Sequence, residues 1–199
     1  MTKKITLAFI MVLVFINNAD AQKLLNFQNL NLGIGFNSSN YIISAPELTM
    51  LNDDEKKSSL YIDFQFDFLT KYGFNFKPGI GFWSWGVFDD EDNGIERTLD
   101  NYTISFDFVK NFSLNKRMSF FAGVGLSFQY LGVYIKIPDS YAMFTNVSEI
   151  TENYFYPGYN FIIGEKTEIF SDFYLNIELR KENSRKIDQW KIFLGISMF

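Results

Sequence analysis

Residues 59–68 read SLYIDFQFDF. Leu60, Ile62, Phe64, Phe66 and Phe68 alternate with Tyr61, Asp63, Gln65 and Asp67. A period of two puts the first set on one face of a β-strand and the second set on the other. The fold turns on which face looks inward. In a soluble sheet the phenylalanines face a core. In a membrane barrel they face lipid, and the aspartates fill the interior.

The same alternation runs outward from this stretch in both directions. Upstream, residues 28–36 set Leu30, Leu32, Ile34 and Phe36 against Asn29, Asn31, Gly33 and Gly35. Downstream, strands are predicted at 74–85, 101–108, 120–130, 154–163, 169–180 and 190–199, which makes eight in all. The apolar face of these segments carries no charged residue, and Ser171 is its one clearly polar member. The opposite face carries Asp63, Asp67, Lys77, Asp107, Asp172, Glu178, Arg180 and Lys191, with many glycines. A lipocalin-type soluble barrel needs the reverse arrangement. Folding the aromatic face inward also demands more space than an eight-stranded barrel encloses. The expected fold is therefore all-β: an eight-stranded antiparallel up-and-down transmembrane barrel with its phenylalanines in lipid.

Connections support this topology. Residues 37–58, 86–100, 131–153 and 181–188 read as long polar loops, net acidic as a group. Residues 69–73, 109–117 and 164–168 read as short turns, made basic by Lys71, Lys110, Lys116 and Arg117. Long loops at one end and short turns at the other are the habit of outer-membrane barrels. Pro78 and Pro157, each followed by glycine, are read as bulges or bends, because proline removes a ladder donor.

The N-terminus reads differently. MTKK is basic, ITLAFIMVLVFI is an apolar run, and ADA ends in small residues. Residues 1–21 are expected to be a secretory signal peptide cleaved after Ala21, with residues 22–199 forming the barrel domain. That leaves 16 Lys and Arg against 22 Asp and Glu, a net charge of −6. An acidic chain of this kind is a poor match for nucleic acid. The chain has no cysteine, so it has no disulfide and no thiolate metal site.

Hairpin arithmetic gives the interior an expected pairing. With residue 68 facing 74, Gln65 opposes Lys77, with Asp63 and Asp67 diagonal to it. With 180 facing 189, Glu178 opposes Lys191. Charges in a narrow lumen must be paired, so this polar network is expected to plug the barrel rather than line a pathway.

The chain resembles the small outer-membrane β-barrel proteins of the OmpA-barrel and OmpX type, and the compact PorT-like barrels of Bacteroidetes-type bacteria. The likeness covers residues 28–199 and rests on the ADAQ junction, eight alternating strands, the KPGIGF and YPGYNF steps and a terminal phenylalanine. It implies an outer-membrane location, lipid and the barrel-assembly machinery as partners, and Phe199 as the membrane-insertion signal. Phe199 shares parity with Ser197 and Gly195 rather than with the apolar Met198, Ile196 and Leu194. Surface or periplasmic protein partners are left open. Enzymes of this barrel class work through a histidine, and this chain has none; Asp63 with Asp67 read as structural rather than hydrolytic. No catalytic residue, cofactor or metal is expected.

Two features lie outside the network. In FDDEDNGIERTLD (88–100), Asp89, Glu91, Asn93 and Asp100 approach calcium-loop spacing, but Arg97 occupies a ligand position. They form a candidate weak divalent-ion loop, with a solvated acidic tip as the ordinary alternative. Trp190 and Tyr130 fit an interfacial aromatic girdle, whereas Trp83 and Trp85 have lumen parity and are expected to cap the barrel mouth. The expected role is structural or surface-interacting. The alternatives are a narrow channel or small-solute transporter, and a soluble periplasmic binding barrel.

Overall fold

The computed structural model describes residues 25–41, 56–87, 96–137, 148–184 and 187–198. The expected signal peptide, Asp89, Glu91, Asn93 and Phe199 lie outside the described residues. Eight strands follow in order: β1 Leu25–Tyr41, β2 Lys56–Thr70, β3 Asn75–Val87, β4 Glu96–Ser113, β5 Met118–Lys136, β6 Glu149–Phe170, β7 Phe173–Ser184 and β8 Ile187–Met198. Each pairs antiparallel with its sequence neighbours, and β8 returns to β1 from Leu30↔Met198 to Tyr41↔Ile187. The sheet is a closed barrel.

Closure answers the question raised by residues 59–68. Tyr61, Asp63, Gln65 and Asp67 point inward and are buried, while Leu60 and Ile62 are about half exposed. The other strands do the same: Phe36 is 71% exposed, whereas Asp107, Gln129 and Glu182 are fully buried. The aromatic face forms a belt of contacting rings, including Phe64–Phe66 at 5.1 Å, Phe82–Tyr102 at 4.9 Å and Phe128–Phe155 at 6.0 Å. Continuous apolar exposure of this extent belongs in hydrocarbon rather than in water.

The belt has a sharp upper limit. Its last outward residues before the run of apolar positions breaks are Phe36, Leu60, Phe82, Tyr102, Tyr130, Phe155, Leu179 and Trp190. Two positions further on stand Ser38, Ser58, Ser84, Asp100, Gly132, Asn153, Lys181 and Asp188. Every strand makes the change at its loop end. Beyond this line β4, β5 and β6 continue together as far as Glu96↔Lys136 and Lys136↔Glu149. Six residues past Tyr130 add roughly 20 Å of β5.

Several expectations are corrected. The strands run 12 to 22 residues rather than about ten. The segment 181–188 is no long loop: β7 reaches Ser184 and β8 begins at Ile187. Lys181, Glu182 and Asp188 therefore belong to strand faces. Residues 164–168 are no turn either: they pair with both β5 and β7, and β6 runs on to Phe170. The turn is at 171–172, where Asp172 has φ 66° and is exposed. Aspartate tolerates that left-handed conformation, so Asp172 is a turn residue and not part of the lumen.

The proline steps are not bulges. Register shifts adjoin Phe27/Asn29 and Glu168/Phe170 instead. Pro78 keeps its place opposite Phe106, but pairing with β2 skips from Gln65↔Gly79 to Phe68↔Phe76. A missing N–H accounts for that gap. Pro157 stands opposite Phe128 on β5, one residue before pairing to β7 begins at Gly158. In both places proline sits where the strand has a neighbour bonding on one side only.

Candidate functional site

The barrel interior holds nearly all the buried charge, and it is layered. Mid-barrel, Arg180 Nη2 lies 2.9 Å from Asp107 Oδ2 and 2.8 Å from Glu178 Oε1. Its Nε donates to the same Glu178 oxygen at 3.0 Å. Asn160 donates to Asp107 Oδ1 at 2.9 Å, and Gln65 donates to Asp63. One guanidinium thus serves two carboxylates from β4 and β7, a task suited to its planar fork.

A second pair lies toward the loop end. Lys191 forms an ion pair with Glu182, to which Gln189 also donates at 2.8 Å. The Lys191 ammonium stands 4.3 Å from the centre of the Tyr61 ring. Toward the short turns, Asn75 donates to Asp67 at 2.6 Å, and Asn111 donates to Asn75 at 3.0 Å. Lys77 stands 4.3 Å from the Phe121 ring centre.

These contacts revise the expected pairings. Arg180 faces Lys191 rather than Gln189, and Glu178 faces Phe193 rather than Lys191. Glu178 and Lys191 are therefore not partners. The tight β7–β8 turn moves the whole register by two residues. The first hairpin is displaced likewise, with Phe68 facing Phe76 and Gln65 facing Gly79. There the chain turns through Gly73, at φ 74°, with Thr70 N–H donating to the Phe74 carbonyl at 2.8 Å. Of the residues expected in the lumen, Asp63, Asp67, Lys77, Asp107, Glu178, Arg180 and Lys191 are all buried there. Glu182 was missed because it was assigned to a loop; its alternation with Glu178 and Arg180 was the available signal.

Apolar groups lie above the charged layers and beside the amide layer at the turn end. At the loop end Tyr61, Trp83, Leu99, Leu131, Val133, Ile135, Ile137 and Ile187 form a buried cluster, with Trp85, Ile150, Tyr154 and Tyr156 packed against it. Trp83 Nε1 donates to Gln189 at 3.0 Å, which ties the cluster to the charged layer. This is where the two tryptophans of lumen parity were expected. At the turn end Val109, Phe121 and Ile162 form a smaller cluster. Glycine makes room for large inward side chains: a Cβ on Gly81 would lie 2.7 Å from Tyr61 ring carbons, and one on Gly33 would collide with Phe193.

Asp100, the one described member of the acidic loop set, accepts a hydrogen bond from Ser84 at 2.6 Å on the outer surface. Among the described residues, no group of three or more His, Cys, Asp and Glu side chains is arranged to hold a metal ion.

No family model matches the sequence. No curated protein matches it either. Solved structures do. The crystal structure of Neisserial surface protein A matches with a TM-score of 0.60 at 8% identity, covering 85% of this chain and 95% of that one. Ail, the attachment invasion locus protein of Yersinia pestis, in complex with the heparin analogue sucrose octasulfate, matches with a TM-score of 0.51 at 11% identity. There the cover is 87% of this chain and 98% of the other. These neighbours are small eight-stranded outer-membrane β-barrels. At such low identity the likeness is one of fold, and the fold of this chain is theirs.

Proposed function

We propose that this chain is an integral outer-membrane protein with a plugged lumen, serving a structural or surface-interaction role through its long-loop end. The observation that carries the reading is the polarity of the wall: apolar and aromatic outside, charged and hydrogen-bonded inside, with a sharp limit on all eight strands. The buried layers support closure of the lumen, since Arg180 reaches Asp107 across it, Lys191 is paired with Glu182, and bulky apolar side chains pack at both ends. Lipid is the partner of the belt, and export by the N-terminal segment with insertion through the assembly machinery, signalled by Phe199, belongs to the same reading. The Pro-Gly steps favour the PorT-like kind of compact barrel. No step of catalysis is assigned.

Membrane fractionation tests the location. The mature protein should sediment with outer membranes, resist carbonate extraction, and migrate differently in SDS gels before and after boiling. Recovery in the soluble fraction would overturn the reading. Planar-bilayer recording separates it from the narrow-channel alternative. The purified barrel should show no conductance steps, whereas reproducible steps would make it a channel.

A further inference from the structure

Two features of the outer wall meet where β4 joins β5. The first is a cation. The outward face of β4 carries Tyr102, Ile104, Phe106 and Phe108, and the next residue on that face is Lys110. Its ammonium donates to the Gly73 carbonyl at 2.8 Å and stands 5.1 Å from the centre of the Phe74 ring. Both of these partners are neutral. Lys71, on the same β2–β3 turn as Gly73, is exposed, with its ammonium 5.0 Å from the Tyr72 ring centre. Exposed Phe112 continues the outer face of β4 beyond Lys110. The ammonium is therefore set into the lipid-facing wall at the turn end of the belt, where a long basic side chain reaches the phosphate layer.

The second is a groove. Ala122 lies opposite Lys110 in the β4–β5 register and is the smallest outward side chain of the belt on β5. It lines a shallow outer groove of about 510 Å³, together with Val124, Phe161, Ile163 and Leu179, that reaches Trp190 on β8. The register strings these residues together through Ala122↔Ile163, Ile163↔Leu179 and Lys181↔Trp190. Hydrogen-bonded rows run obliquely in a tilted wall, so the groove leads from beside Lys110 across β5 to β8. Four strand spacings from Lys110 make roughly 19 Å. One leaflet of hydrocarbon is roughly 15 Å thick, so an acyl chain fits along this line. At the far side Lys181 is ion-paired with Asp188 and lies 4.9 Å from the Trp190 ring centre. The charge there is already balanced.

We propose that this stretch of wall holds one phospholipid of the periplasmic leaflet with a net negative headgroup, its phosphate on Lys110 and one acyl chain in the groove over Ala122. The apolar groove accepts any acyl chain. Lys110 gives the choice of headgroup, and Lys71 adds to the local positive charge. The outward carboxylate of Glu165 faces Phe120, one outward row nearer the turns, and repels a phosphate from the β6 side of the seat. The proposal rests on the outer-membrane reading above and gives its lipid partner a site and a headgroup class.

The test uses the full barrel in phosphatidylcholine vesicles. Single cysteines at Ile177, beside the groove on β7, and at Ile62, across the barrel on β2, carry a fluorescent label. Chain-nitroxide phosphatidylglycerol or phosphatidylcholine, at equal mole fraction, is the quencher. Comparing the two lipids at one site cancels the depth of the label. Phosphatidylglycerol should quench the Ile177 label roughly two- to fivefold more effectively, the upper figure being that of one basic residue at a charged lipid surface. The two lipids should quench equally at Ile62. Lys110→Ala should bring the ratio at Ile177 close to one, and so should Ala122→Leu, which fills the groove without changing charge. A ratio of one at Ile177 before either change, an equal excess at Ile62, or an excess that survives Lys110→Ala or Ala122→Leu would each overturn the proposal. The heat-dependent gel shift on the same vesicles keeps the two levels apart. A folded, membrane-inserted barrel with no lipid preference contradicts the lipid seat alone, whereas a chain recovered as soluble protein contradicts the reading beneath it.

Discussion

Two parts of one wall obey opposite rules. In the belt, β5 turns Val124, Leu126 and Phe128 outward and keeps Ser127 and Gln129 buried. Past Tyr130 the same strand turns Tyr134 and Lys136 outward and buries Leu131, Val133 and Ile135. β4 and β6 invert with it: Leu99 is buried inside, while Asp100, Thr151 and Asn153 lie on the outer face. The strand geometry does not change between the two parts; the surroundings do. In the belt the outside is hydrocarbon, so the interior collects the polar groups. In the extension the outside is water, so the interior collects the apolar ones. Alternation therefore identifies a strand, and the point where its polarity reverses identifies the edge of the membrane.

The largest effect that bears on this contrast is expected from Arg180→Ala. It strands the buried carboxylates of Asp107 and Glu178, at a cost of about 3–5 kcal/mol that water entering the lumen would reduce. Urea titration in lipid vesicles measures it. A loss comparable to that of an exposed lysine would mean that the interior is wet. Next is Phe64→Lys on the outer face of the belt, expected to cost about 2–4 kcal/mol near the bilayer midplane. The matching change in the extension, Thr151→Lys, should stay within about 0.5 kcal/mol, as an ordinary surface substitution does. Comparable losses from these two lysines in the same titration would erase the contrast. Between these extremes lies Val133→Thr, which keeps the shape but puts a hydroxyl into the apolar cluster. It should cost about 1–3 kcal/mol, and a neutral outcome in the same titration would show that the inner face of the extension is hydrated.

How far the sequence could be read follows from the same contrast. Through the middle of the belt, where lipid lies outside, the period of two is unbroken, so the existence, faces and order of the eight strands were legible in Phe64, Phe106 or Leu194 and their neighbours. The strand ends were not. Beyond Tyr130 the sequence LGVYIK still alternates, but with the apolar set on the other parity, which mimics the end of a strand. The run of β7 to Ser184 and the start of β8 at Ile187 were hidden because KENSRKID is polar at every position but Ile187, as a long loop would be. That one error displaced the β7–β8 register by two residues and replaced the Lys191–Glu182 pair with a Lys191–Glu178 one. Asp172 was assigned inward for a related reason: EKTEIF is polar enough to pass for a turn, and the real turn followed it. The central group of Arg180, Asp107 and Asn160 joins β4, β6 and β7 across the lumen, and no local pattern reports a contact of that range.

The most direct test of the inversion is a lipid-and-water accessibility profile along β5. The chain contains no cysteine, so single cysteines introduced at Val124, Leu126, Phe128, Tyr134 and Lys136 carry nitroxide labels without background. In bilayers, labels at the first three positions should collide with oxygen dissolved in lipid and be shielded from a water-soluble nickel chelate. Labels at Tyr134 and Lys136 should show the reverse, with the crossover between Phe128 and Tyr134. Nickel access at Val124, Leu126 and Phe128 equal to that at Tyr134 would contradict a lipid-facing belt that ends where the polarity of the wall reverses.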